Sequence, residues 1–210
     1  STIFKFFEKI FIKFVNFKFY FLASKNLIVN KKANINQVIN GFFSENEEEE
    51  KILIKKMNKK KKSKKKITIF YSARLDQNRG SDLILEIDNL LLREKKYEFI
   101  IFCFGDHKIF KNLEEKIRNK NTKLYYQKNR NFYLRKILNT DISLNLLKND
   151  VFGKNSFPSK IIEYLMFSKT IISTVKIHDV KYDNILVSDY NSQSILKKIK
   201  HISKNINFYE

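Results

Sequence analysis

From Ile67 onward the chain alternates short apolar runs with stretches in which apolar residues recur every three or four positions. The runs Ile67 to Ser72, Glu98 to Phe104, Lys123 to Tyr126, Asp141 to Leu146 and Thr170 to Thr174 are rich in β-branched and aromatic residues and predict strands, with a short further one at Asn184 to Val187. Between them, Leu83, Ile84, Ile87, Leu90 and Leu91 mark one face of a helix that Ser81 is placed to cap. Helices are also predicted over Ile109 to Asn119, Phe132 to Leu138, a short stretch after Pro158, and Ser192 to Ile202. Strands separated by helices of this length build βαβ units. The predicted fold class is therefore α/β: a Rossmann-like parallel sheet with helices on both faces.

Upstream the pattern differs. Residues 3 to 16 place Phe4, Phe7, Ile10, Phe11, Phe14 and Val15 at helical spacing. An extended piece over Phe19 to Ala23 follows, then a turn of helix at Ser24 to Val29 and a strand from Gln37 that closes on the Asn40-Gly41 turn. Glu45 to Glu50 is almost wholly acidic, and ten of the sixteen residues from Lys51 to Lys66 are lysine. Such a run buries too little apolar surface to order itself, so residues 44–65 are predicted to be a charged linker. The expected division is 1–43, 44–65 and 66–210.

The full chain of 210 residues is long enough for a sizeable core, and 43% of it is hydrophobic. Its net charge of +20 points to an anionic partner such as a phosphate-bearing ligand, nucleic acid or a membrane surface. Lys, Asn, Ile, Phe and Tyr are abundant, whereas Gly, Pro and Trp number 4, 1 and 0, a bias that an AT-rich coding sequence produces. Charge alone therefore does not choose among those partners. Cys103 is the only cysteine, which excludes an intrachain disulfide, and its apolar surroundings predict a buried strand residue. His107, His178 and His201 lie far apart and form no ligand pattern, so no metal site is expected. No apolar run reaches the roughly 18 residues of a membrane span, and the first 22 residues lack a signal-peptide cleavage site.

In an open α/β sheet the ligand lies beyond the carboxyl ends of the strands. Three segments follow strands directly: Arg74 to Gly80, Gly105 to His107, and Asn155 to Glu163. Two guanidiniums, Arg74 and Arg79, flank a tight loop and suit a diphosphate, because each can bond phosphate oxygens bidentately and neither loses its charge. Ser159 and Lys160 open a helix whose free N–H groups and dipole favour the same ligand. Glu163, one turn on, is placed to accept the hydroxyls of a ribose, as the acidic residue does in dinucleotide sites.

These segments resemble the donor-binding domain of retaining glycosyltransferases of the two-Rossmann-domain (GT-B) architecture, family 4. Tyr71-Ser-Ala-Arg-Leu-Asp-Gln-Asn-Arg-Gly80 is similar to the family's Gly-Arg-Leu…Lys-Gly segment, with Arg74 in place and Arg79 standing for the lysine. Phe99 to Gly105 resembles the strand that ends in glycine. Phe157-Pro-Ser-Lys-Ile-Ile-Glu163 with Lys169-Thr-Ile-Ile-Ser173 resembles the family's Phe-Pro-Ser-Lys…Glu-Tyr variant. Glu8 to Leu27 and Val38 to Phe42 look like the last helix, strand and interdomain turn of the family's first domain, and the chain opens on Ser1, not Met, so further sequence is expected upstream.

The resemblance implies transfer of a sugar from a UDP- or GDP-sugar to a glycan or lipid-linked acceptor, with retention and without a metal or other cofactor. It places the protein in the cytoplasm, peripheral on the cytoplasmic face of a membrane with an anionic surface, and gives no role to nucleic acid. Arg74, Arg79 and Asn155 would be catalytic; Gly80, Gly105, Ser156, Phe157, Ser159, Lys160 and Glu163 would bind the donor. Asn155 falls where the family carries the first of two glutamates, Ala73 replaces the glycine before the arginine, and Ser168 and Thr170 replace Gly and Pro. Two other readings stay open: a basic module that binds nucleic acid or anionic membrane through Lys51 to Lys66 and the first helix, and a relative that keeps the fold without transfer.

Overall fold

The structure, a computed structural model, describes residues 17–21, 35–39, 66–75, 79–150, 159–177 and 183–205. Among the described residues there are two parallel sheets. The first pairs β1 (Phe17–Phe21) with β2 (Ile35–Ile39), in the register Phe17 to Ile35. Both strands start two residues earlier than the sequence pattern indicates. The helices expected over 3–16 and 24–29 and the linker over 44–65 lie outside the described residues.

The second sheet has six strands: β3 (Ile67–Arg74), β4 (Tyr97–Phe104), β5 (Thr122–Tyr126), β6 (Ile142–Asn145), β7 (Thr170–Ser173) and β8 (Ile185–Val187). Their spatial order is β5-β4-β3-β6-β7-β8, and every pairing is parallel. Helices α1 (Ser81–Leu91), α2 (His107–Lys116), α3 (Arg130–Leu138), α4 (Ser159–Met166) and α5 (Ser192–Lys204) connect or follow them.

Central strands in such a sheet are covered on both faces, which is why β4 reads as a nearly unbroken apolar run and why even the polar residues of β6 and the middle of β3 are buried. Side chains alternate along β3. Ile69, Tyr71 and Ala73 join a core layer with Leu83, Ile84 and Ile87 of α1, Phe110 of α2, and Ile195 and Ile199 of α5. Phe70 faces the other way, into a layer with Tyr133, Leu134 and Ile137 of α3 and Ile161 and Tyr164 of α4. Helices thus cover both faces, as the sequence pattern predicts. Cys103 is fully buried in the first layer, and burial pushes its thiol up to about 12.

Four helix boundaries differ from expectation for identifiable reasons. Ser81 is the first residue of α1 and not its cap; Gly80 takes the cap position with φ 75° and has no side chain to offer, while the Asp82 carboxylate accepts from the Leu83 amide at 3.0 Å. Helix α2 begins at His107 because the Asp106 carboxylate accepts from the Lys108 amide at 2.7 Å. It stops at Lys116, short of Asn119, because the buried carboxylate of Asp88 accepts from the amides of Arg118 (3.0 Å) and Asn119 (3.3 Å) and draws the chain out of the helix. Likewise α3 starts at Arg130, two residues early, with the Asn129 side chain accepting from the Phe132 amide at 2.9 Å.

Candidate functional site

The strand order reverses direction at β3. From there β4 and β5 extend one way, and β6, β7 and β8 the other. At such a switch point the loops leaving the two central strands diverge to opposite faces and open a crevice at their carboxyl ends. Here those loops follow Arg74 of β3 and Asn145 of β6. Among the described residues, Gly80 packs directly on Leu146, and a Cβ at position 80 would overlap the Leu146 Cβ. The contact requires the absent side chain, and the positive φ favours glycine independently.

Arg74 ends β3 with an exposed side chain. Its aliphatic stem lies across Gly105, where an added Cβ would stand 2.9 Å from the Arg74 Cγ and 3.3 Å from its Nε. Gly105, at φ 99°, thereby sets the path of the guanidinium. The Gly105 carbonyl accepts from the Tyr126 hydroxyl at 2.6 Å, which ties the loop after β4 to the end of β5. Arg79 is held through its backbone, its carbonyl accepting from the Tyr71 hydroxyl. Of the Gly105 to His107 segment, only Gly105 keeps a direct link to Arg74; Asp106 serves as a cap, and the His107 ring lies against Tyr126 at 5.1 Å.

On the other side of the crevice stands α4. Lys160 turns inward: its ammonium donates to the Ser72 carbonyl at 3.0 Å and lies 5.1 Å from the centre of the Tyr71 ring. Its charge is therefore part of the floor at the end of β3. Glu163 pairs with Arg130 through Oε1 and accepts from the Tyr133 hydroxyl through Oε2 at 2.6 Å. The Tyr133 hydroxyl also lies 3.2 Å from the Ser72 Oγ. Burial above all, then the nearby Tyr164 and Glu163, holds the Tyr133 phenol well above the ordinary tyrosine range, so it stays protonated and donates.

Of the residues picked out from sequence, the structure brings Arg74 against Gly105, and sets Arg79 and Gly80 at the mouth of the switch point. It anchors Lys160 and Glu163 to the same strand end through Ser72. Asn155, Ser156 and Phe157 lie outside the described residues, and Ser159 is placed as the first residue of α4. Sequence reasoning missed Ser72, Arg130 and Tyr133. Their signal was faint: Arg130 and Tyr133, three apart at the start of a helix, share one face, and that helix follows a strand. Among the described residues no group of three or more His, Cys, Asp or Glu side chains is arranged to hold a metal, and no helix is long and apolar enough to cross a membrane.

This doubly wound sheet is a Rossmann-like domain of the kind found in GT-B glycosyltransferases. No protein-family model matches the chain, and neither does any curated protein sequence. Solved structures do. A glycosyltransferase from Rickettsia africae superposes with a TM-score of 0.61 at 14% identity, over 93% of this chain and 56% of that one. HepE from Anabaena, solved with UDP and glucose, gives 0.56 at 14% identity over 84% of this chain and 49% of that one. The C-terminal domain of LpcC from Francisella tularensis, a group 1 glycosyl transferase, gives 0.52 at 14% identity over 68% of this chain and 78% of that one. The chain thus spans about half the length of the HepE and Rickettsia proteins it resembles. At these identities the likeness is one of fold.

Proposed function

We propose that this chain carries the donor-binding part of a retaining glycosyltransferase that moves a sugar from a nucleoside diphosphate to a glycan or lipid-linked acceptor. One observation supports the reading above all: Arg74 ends β3, the Gly80 turn follows it, and Glu163 is tied to Ser72 of the same strand through Tyr133, at the switch point of a fold shared with HepE, which was solved with UDP and glucose.

In this reading Arg74 and Arg79 hold the diphosphate, with the amino end of α4 at Ser159 beside it. Glu163 takes the ribose, and Asn155, Ser156 and Phe157 meet the sugar. As the glycosidic bond breaks, negative charge builds on the departing diphosphate, and fixed guanidiniums stabilise that charge without reorganising. Such a mechanism calls on no metal. An amide at Asn155 can hydrogen-bond a sugar hydroxyl but cannot stabilise positive charge at the anomeric carbon, so donor binding is expected to outlast turnover. We place the protein in the cytoplasm, peripheral at a membrane where lipid-linked acceptors are presented.

Titration of UDP- and GDP-sugars against the chain tests this. Arg74→Ala is expected to weaken binding by about ten- to a hundredfold, the loss of a charged hydrogen-bonding partner. Unchanged affinity in both Arg74→Ala and Glu163→Ala would overturn the site.

A further inference from the structure

Glu163 has one donor on each carboxylate oxygen, and the two donors come from a different element. Arg130 holds Oε1, and the Tyr133 hydroxyl holds Oε2 at 2.6 Å; both belong to the first turn of α3, whereas Glu163 sits on α4. A carboxylate offers about four acceptor positions, two on each oxygen. With one used on each, one remains on each. The Glu163 side chain also keeps 23% of its surface exposed, so those positions are open to a ligand.

Two adjacent acceptors on a plane fixed from behind match two adjacent hydroxyl donors, the arrangement of a vicinal cis-diol. The fixing is firm at Tyr133, which is only 6% exposed and packs its ring against Phe102 at 5.0 Å and Phe70 at 5.9 Å. Its single proton goes to Glu163, which leaves Ser72 Oγ to donate to the Tyr133 oxygen, 3.2 Å away. A chain of hydrogen bonds that ends on a charge polarises each member.

We propose that Tyr133 and Arg130 are positioning residues: from the first turn of α3 they fix the orientation of the Glu163 carboxylate that takes the ribose hydroxyls. The proposal rests on the donor-binding reading above.

The test compares UDP with 2′,3′-dideoxyuridine diphosphate, by calorimetry on the 210-residue chain and on Tyr133→Phe and Arg130→Ala. Tyr133→Phe keeps the ring packing and removes only the hydroxyl; Arg130 is half exposed, so its removal leaves the core intact and gives a second reading should the first variant fold poorly. The wild-type chain is expected to prefer UDP. Tyr133→Phe is expected to weaken UDP about tenfold, the worth of a hydrogen bond to a charged group, and to leave the dideoxy ligand unchanged. Arg130→Ala is expected to narrow the same preference. Equal losses for both ligands, or no loss for either, would overturn the positioning role. Wild-type binding of both ligands with equal affinity would remove the diol assignment while leaving donor binding standing. Binding of neither ligand would remove donor binding and the proposal together.

Discussion

Gly80 does more to shape the site than its size suggests. Its φ of 75° is open to glycine and strained for most other residues, and any side chain there would strike Leu146. Gly80→Ala is expected to lower stability by about 2 kcal/mol, because the strain of a left-handed residue adds to a steric clash that must move the loop after β6. A urea titration followed by circular dichroism would measure it, and a loss below about 0.5 kcal/mol, the range of ordinary surface changes, would contradict this account. Cys103 offers a second check at this scale. It is fully buried and its thiol is pushed up to about 12, so Ellman's reagent at pH 8 should label it only as fast as the protein unfolds. The positions of Arg74, Gly80 and Glu163 were legible in the sequence because each sits at a fixed offset from a strand or helix end. Ser72 and Tyr133 were not, since their importance comes from a contact between residues 61 apart, which no local pattern encodes.

At the scale of elements, apolar periodicity placed all six strands of the main sheet and the helices between them, but not their ends. A helix end depends on who takes up its free amides and carbonyls, and that partner can be distant. Asp88 is the clearest case. Its side chain, fully buried at the back of α1, accepts from the amides of Arg118 and Asn119 and from the Thr122 hydroxyl at 2.6 Å, so one carboxylate ends α2 and starts β5. Asp88→Ala would leave three donors without their partner, two of them backbone amides, and is expected to cost about 3 kcal/mol. Asp88→Asn keeps one acceptor oxygen and should lose less. Thermal unfolding of the two variants decides the point, and equal melting temperatures would mean that the carboxylate is not what holds the turn.

At the scale of the whole molecule, charge and fold divide the chain differently. Residues 1–65 contain sixteen lysines and six glutamates, a net +10 and half of the total +20, while every strand of the six-stranded sheet lies between residues 67 and 187. Every described side chain of the candidate site also lies beyond residue 66. If the sheet and its five helices form the donor-binding unit, a protein of residues 66–210 should fold by itself and bind UDP within about twofold of the longer chain, because no contact to the ligand is removed and surface charge at a distance is screened over about 8 Å at physiological salt. Its binding to anionic vesicles should fall sharply, since the lysine run has gone and juxtamembrane lysines contribute about 1 kcal/mol each. The two measurements separate the roles. Loss of UDP binding on truncation would mean that the first 65 residues complete the pocket, and vesicle binding that survives unchanged would place the membrane-facing charge on the folded domain instead of on the run from Lys51 to Lys66.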